Sequence, residues 1–232
     1  MNFLAEGPLV PATIVRRDNR FRAAVQVAGV AQAAHVPNSG RLRELLLPGA
    51  PAYLRRAQRP RRVTPYDLTL VRAGAELVCI DARLPPKLIA EAWRAGRLPW
   101  LQAYDGVRSE VRWGHSRLDL LFGALNGRSL WVETKCVTLV QDGTARFPDA
   151  PTARGRRHVQ ELTMLAAAGE QAAIVFVVQR ADCNAFAPND LTDPAFGEAM
   201  RAAAAAGVVL QAYRCLVSES EITLADSIPV QL

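Results

Sequence analysis

Lysine is almost missing from this chain: Lys87 and Lys135 are the only two among 28 basic residues, and the other 26 are arginine. Where nearly every cation is written as arginine, a surviving lysine is a candidate for close-range chemistry, which a compact ammonium can perform and a planar guanidinium cannot. Cysteine is sparse as well. Cys79, Cys136, Cys183 and Cys215 stand far apart with no C-x-x-C pair, which argues against a zinc site and a disulfide framework and leaves buried free thiols as the expectation. No apolar run approaches the ~20 residues that span a bilayer, and the first residues lack a basic stretch followed by an apolar one. A cytoplasmic protein without membrane association is expected.

What is present is enough to fold unaided. Half of the 232 residues are hydrophobic, so one large or two small domains can bury a core without staples. Charge divides unevenly. Residues 1–100 hold 16 basic against 7 acidic residues, a balance of +9, whereas residues 101–232 hold 12 against 15, a balance of −3. A nucleic-acid clamp joined to a cation-binding site would show this asymmetry, and so would ordinary solvated surface.

The first eighty residues read as short strands, Pro11–Arg17, Phe21–Val27, Val30–Val36, Pro51–Arg55, Leu68–Arg72 and Leu77–Asp81, with turn residues between them at hairpin spacing. An OB-type barrel of about five strands fits. Arg41–Leu47 is expected as a helical turn or two, with Ser39 as N-cap. Leu84-Pro85-Pro86 interrupts the pattern and marks the expected boundary between a basic, nucleic-acid-binding barrel (1–84) and a second domain (85–232). The second domain opens with helical spacing over Lys87–Arg94. Strands at Val107–Trp113, Arg117–Phe122 and Ser129–Val137 follow, then a helix at Thr152–Ala168, a strand at Ala172–Val178, a helix at Pro194–Ala206 and a strand at Val208–Leu216. That order predicts an α/β layer fold with a mixed sheet.

Alternation on the strands sorts the polar residues. Trp131, Glu133 and Lys135 share one face, while Leu130, Val132, Thr134 and Cys136 share the other, which is expected to face the core. Leu118, Leu120 and Phe122 form an apolar face that leaves Asp119 opposite to it, on the side of Glu133. Positions 119 and 133 are symmetric about Asn126. A three-residue loop, Leu125-Asn126-Gly127, with Gly127 left-handed, would set the two carboxylates opposite each other, roughly 4.5–5.5 Å apart at Cβ. Two opposed carboxylates suit Mg²⁺ or Mn²⁺, and Lys135 beside them could orient or deprotonate an attacking water, which points to metal-dependent phosphodiester hydrolysis. The competing reading is a charged, solvated sheet face. His158, Gln160 and Glu161 on the following helix are further polar candidates. Thr152 is the expected cap of that helix, and Arg154, Arg156 and Arg157 give it a basic entry suited to phosphate. Glu110 is a possible fourth carboxylate.

Six segments in order carry a resemblance. They are His35-Val36-Pro37-Asn38-Ser39-Gly40-Arg41, Ser109-Glu110-Val111-Arg112, Arg117-Leu118-Asp119, Glu133-Thr134-Lys135-Cys136-Val137-Thr138-Leu139, Phe147-Pro148-Asp149-Ala150-Pro151-Thr152-Ala153-Arg154-Gly155, and the ending Ser227-Ile228-Pro229-Val230-Gln231-Leu232. Over essentially its whole length the chain resembles the sugar fermentation stimulation protein A family of bacteria and archaea. The resemblance implies an OB-like barrel followed by a PD-(D/E)xK nuclease-like α/β domain. It also implies sequence-nonspecific binding of DNA, duplex or single-stranded, with a regulatory link to maltose metabolism. The nuclease-like pattern falls on Asp119, Glu133 and Lys135, with Glu161 or Gln160 as accessory. Thr134, Cys136 and Pro86 depart from the family's usual Val, Ser and Asn without removing a metal ligand. Asn38, Ser39, Arg41 and Arg43 are expected to receive phosphate on backbone amides and guanidinium groups, and the polar run Arg55, Arg56, Arg59, Arg61 and Arg62 to track the DNA backbone together with Arg117.

Overall fold

The computed structural model describes residues 1–2, 7–58, 62–114, 116–125 and 127–232. Arg59, Arg61 and Asn126 lie outside the described residues. Near the amino terminus, β1 (Val10–Asn19) pairs with β2 (Arg22–Val27), β2 with β3 (Val30–His35), and β1 on its other side with β4 (Pro51–Arg56). β4 pairs with β5 (Tyr66–Ala73), and β5 meets β3 in parallel through Ala34–Tyr66 and His35–Asp67. That last contact closes a five-stranded barrel, so no edge among the five is left open. Its interior is filled by inward-facing side chains such as Ile14, Val25, Leu54 and Leu68.

The barrel feeds directly into the second domain. β6 (Glu76–Cys79) pairs with β5, and its last residue is tied to Gln179, which accepts from the Cys79 amide at 3.0 Å and donates from Nε2 to the Cys79 carbonyl at 2.6 Å. Pro85 and Pro86 do not precede the next helix but begin it. α1 spans Pro85–Arg94, because proline is pre-set for the first helical turn, where its missing N–H costs nothing. The second sheet runs β15-β14-β12-β9-β8-β7, built from β7 (Gly106–Trp113), β8 (Ser116–Gly123), β9 (Ser129–Val137), β12 (Gln171–Val178), β14 (Val209–Val217) and β15 (Ile222–Ile228). β9, β12 and β14 are mutually parallel and the other pairs antiparallel, giving the expected mixed sheet. The fold read from the sequence, an OB-type barrel followed by an α/β domain with a mixed sheet, is the fold observed.

Both faces of this sheet are covered, so neither is the solvated face of the competing reading. One face packs on α1 and the barrel residues Leu70 and Cys79, and the other on α2 (Ala153–Ala167) and α3 (Pro194–Ala205). A small sheet of β10 (Leu139–Gln141), β11 (Thr144–Phe147) and β13 (Ala185–Pro188), together with β15, adds strands absent from the sequence reading. Cys79, Cys183 and Cys215 are buried free thiols, and Cys136 is half-buried. Among the described residues no helix is long and apolar enough to cross a membrane.

Arg41–Leu47 is not a helix. Leu42 takes a left-handed φ of 48°, which ends any helical run, and the segment makes only turns. Its geometry is dictated from outside. The carboxylate of Asp149, in the second domain, accepts from the Leu42 amide at 3.0 Å and lies so near Gly40 that an added Cβ would sit 2.5 Å from Asp149 Oδ2. Gly40→Ala is therefore expected to destabilise the protein by about 1–3 kcal/mol, whereas Gly123→Ala, which meets nothing within 4 Å, is expected to be nearly neutral. Equal melting temperatures for the two variants would refute this lock between the domains.

Candidate functional site

The hairpin of β8 and β9 sets the site. Leu120–Val132, Leu121–Trp131, Phe122–Leu130 and Gly123–Ser129 are paired, a register symmetric about position 126, and Gly127 is left-handed at φ 80°. This is the odd-length register expected from the sequence. The ladder nevertheless stops at Leu120–Val132, so Asp119 and Glu133 are not the directly opposed pair expected. β8 leaves β9 there, and Leu118 packs into the α2–α3 side of the core while Leu120 and Phe122 pack into the other. Glu133, Thr134, Lys135 and Cys136 keep β12 as a neighbour on one side and lose β8 on the other. Asp119 fills the vacant place in the ladder. Its Oδ2 accepts from the Thr134 amide at 2.8 Å and from Thr134 Oγ1 at 2.5 Å.

The opened edge of β9 floors a cavity of about 600 Å³ that both domains line. Asp119, Glu133 and Lys135 are brought together there with His158 of α2. Arg20, Phe21, Asn38 and Ser39 come from the barrel, while Arg146, Asp149 and the first turn of α2 with Arg154 complete the wall. Thr152 caps α2 as expected, its Oγ1 accepting from the Gly155 amide at 3.0 Å. Glu133 is 3 % exposed. Its Oε1 accepts from Lys135 Nζ at 2.6 Å and from His158 Nδ1, and its Oε2 is buried with no partner among the described residues. Burial alone would raise the Glu133 pKa, but Lys135 and His158 outweigh it and hold the group below its ordinary value. Asp119 behaves oppositely. Burial first, and then the charge of Glu133, push it up to about 6 against the pull of Thr134 and Lys135.

Close carboxylates that repel each other, one of them buried with an unpartnered oxygen, fit a hard divalent cation. No group of three or more His, Cys, Asp and Glu residues among those described could hold a metal. Asp119 and Glu133 would thus supply the protein's share of the ligands, and water or phosphate oxygens the rest, which is the usual arrangement for Mg²⁺.

Other predicted residues sit elsewhere. Glu161 does not line the cavity; it is buried one turn beyond His158, where Oε1 accepts from Ser116 Oγ at 2.7 Å and Oε2 has no partner among the described residues. Glu110, left-handed at φ 57°, is exposed and paired with Arg117 at 3.4 Å, so it adds no carboxylate to the site. Gln160 is exposed outside the lining. Arg156 is bound to Asp193 at 2.7 Å and Arg62 to Asp67 at 2.6 Å, each fixed by a neighbouring carboxylate. Arg55 and Arg56 belong to β4 rather than to a flexible run, and the Arg56 guanidinium lies 5.5 Å from the centre of the Tyr66 ring. Arg41, Arg43 and Arg157 are exposed outside the cavity lining. Of the amides in the Asn38-Ser39-Gly40 turn, that of Gly40 is already committed, donating to Asn38 Oδ1 at 2.8 Å, and the following Leu42 amide donates to Asp149. Arg20, Phe21, Arg146 and Asp149 were missed, because only the docking of barrel on sheet makes them neighbours; the quoted Phe147–Gly155 motif was the one available signal.

Asp119→Asn, which keeps the size and an acceptor oxygen, is expected to stabilise the protein at pH 7–8 by on the order of 1–3 kcal/mol, after allowing for partial exposure. The folded pKa lies above the unfolded one, so ionised Asp119 costs stability fully above about pH 6 and not at all below about pH 4. Unfolding of both proteins across that window checks the sign; a gain independent of pH, or a loss at neutral pH, contradicts it.

Two sequence profiles match the chain: the sugar fermentation stimulation protein N-terminal OB domain at residues 15–80 and the sugar fermentation stimulation protein RE domain at residues 83–221. A sugar fermentation stimulation protein homolog of Moorella thermoacetica is 45 % identical over 225 residues, covering 97 % of each chain. That of Clostridium perfringens is 42 % identical over 221 residues, covering 95 % of this chain and 96 % of the relative. The solved structure of Pyrococcus furiosus SfsA in complex with Ca²⁺ superposes with a TM-score of 0.92 at 32 % identity, covering 100 % of this chain and 98 % of that one. The chain belongs to the sugar fermentation stimulation protein family.

Proposed function

We propose that this protein binds DNA without sequence specificity, drawing the phosphate backbone over the cavity shared by barrel and second domain. The observation that carries this reading is the charge arrangement at that cavity. Arg20, Arg146 and Arg154 stand on its wall with no carboxylate partner among the described residues, around a floor of Asp119, Glu133 and Lys135. Unpaired guanidinium groups beside buried carboxylates suit a polyanion that brings its own counter-cation. A net charge of +6 adds long-range attraction. The described helices α1, α2 and α3 are separated by strands, so no helix-turn-helix offers base readout. The regulatory link to maltose metabolism implied by the resemblance would then act through backbone binding rather than through an operator.

A second reading, metal-dependent hydrolysis of the phosphodiester, is favoured by one observation, the unpartnered Oε2 of Glu133. A protein that only holds DNA gains little from two close carboxylates facing a polyanion. The Ca²⁺ in the Pyrococcus furiosus relative supports a divalent cation on this fold, and Mg²⁺ or Mn²⁺ would supply Lewis-acid neutralisation of charge on the phosphate. In that reading His158 and Lys135 fix the Glu133 carboxylate through Oε1, leaving Oε2 to the cation. Lys135 is also placed to orient the attacking water and balance transition-state charge. Arg154 and Arg20 hold the flanking phosphates, and Glu161, outside the lining, serves only to hold Ser116 behind the wall.

Arg20→Ala and Arg154→Ala are expected to weaken DNA binding to a similar degree for unrelated sequences and to lower the salt slope by about one each. An affinity independent of salt contradicts the binding reading. Plasmid and single-stranded DNA incubated with Mn²⁺ or Mg²⁺ decide the second: cutting by the native protein that Asp119→Ala and Glu133→Ala both abolish establishes hydrolysis. Tighter binding by both variants with no cutting by any protein leaves binding alone.

A further inference from the structure

Phe21 is out of place for a core residue and for a turn residue. β1 and β2 are joined through the pair Asn19–Arg22, so Arg20 and Phe21 form the whole hairpin loop, a position usually given to Gly, Asn or Asp. The turn is satisfied by a neighbour instead, since Asn19 Oδ1 accepts from the Phe21 amide at 2.9 Å. The ring is 49 % exposed and lines the cavity that holds Asp119, Glu133 and Lys135. The ring shares that wall with Arg20, Arg146 and Arg154, and unlike them it is not a contact for phosphate.

The loop that carries the ring is tied down. The Phe21 carbonyl accepts from the Val36 amide at 2.9 Å and is bonded to His35 Nδ1 at 3.0 Å, and the imidazole stacks on the ring at 6.4 Å between centroids and 27° between planes. Arg17 then ties the hairpin to the interdomain joint. Its guanidinium donates to the carbonyls of Asn19, Arg20, Gly40 and Arg41, and Asp149 locks Gly40 and Leu42 from the second domain. A braced aromatic beside an unpaired arginine is the arrangement on which unpaired bases stack. Space agrees: about 600 Å³ lies within the ~300–1,000 Å³ typical of small-ligand pockets, room for one nucleotide inside it.

We infer that the cavity takes an unpaired DNA nucleotide whose base stacks on Phe21 while its phosphate lies among Arg20, Arg154 and the carboxylate floor. This rests on the DNA-binding reading and narrows it to single-stranded or locally unpaired DNA. The test compares full-length native protein, Phe21→Ala and Phe21→Trp for binding to a single strand of about 15 nucleotides carrying 2-aminopurine, and to a blunt duplex of the same sequence. Native protein is expected to quench 2-aminopurine and to prefer the single strand. Phe21→Ala should lose roughly 5- to 150-fold in single-strand affinity and the quenching, with duplex binding unchanged, and Phe21→Trp should retain both. If Phe21→Ala binds both DNAs like the native protein, or weakens both equally, the stacking inference is overturned while DNA binding stands. If the native protein binds neither, the underlying reading itself fails. Melting temperatures confirm that each variant is folded.

Discussion

The parting of β8 from β9 beyond Leu120–Val132 is the constraint on which the rest of this site depends. Had the ladder continued, Thr134 would have found a backbone partner on β8, and the edge of β9 would have been sealed. Because it stops, Asp119 must satisfy the Thr134 amide with its own carboxylate, which brings a second negative charge beside Glu133 in a place where water is scarce. The consequences oppose each other. Lys135 and His158 keep Glu133 ionised through one oxygen, while Asp119, desolvated and repelled by Glu133, is pushed towards its protonated form. An acid pair so divided is unstable in isolation and would be relieved by a cation, so in the proposed reading the cost of the site and its use have the same origin.

The barrel is part of the same construction rather than an appended module. Its loop from Asn38 to Leu42 is shaped by Asp149, its hairpin tip is braced by Arg17 on that loop, and its last strand is pinned to Gln179. One apolar cluster contains Leu70 and Cys79 of the barrel alongside α1 and the second sheet. This joint fixes the distance between a wall of arginine and phenylalanine and a floor of carboxylates, and so makes two unremarkable surfaces into one cavity.

Much of this could be read before any coordinates. Alternation and turn residues place the barrel strands, and the spacing of 119 and 133 gives the hairpin register, because both are local properties of the chain. The cap of α2 was legible for the same reason. Local pattern fails where distant residues decide the outcome. Arg41–Leu47 has helical composition, yet a carboxylate more than a hundred residues away imposes a left-handed residue in it. Leu139–Gln141 and Ala185–Pro188 are too short to show a period. Arg62 and Arg156 look like free basic residues until Asp67 and Asp193 are found beside them, whereas Arg20 and Arg146 give no sign in the sequence that they will share a cavity.

The central claim is that the carboxylate floor and the arginine wall form a single site whose cation and DNA phosphate bind together. It is tested most directly by measuring single-stranded DNA affinity against Ca²⁺ concentration at constant ionic strength, in native protein and in the Asp119→Ala, Glu133→Ala double variant. The account predicts that Ca²⁺ tightens DNA binding to the native protein alone, by reciprocal coupling of the two ligands. A native affinity that falls with Ca²⁺ as the variant's does would contradict it.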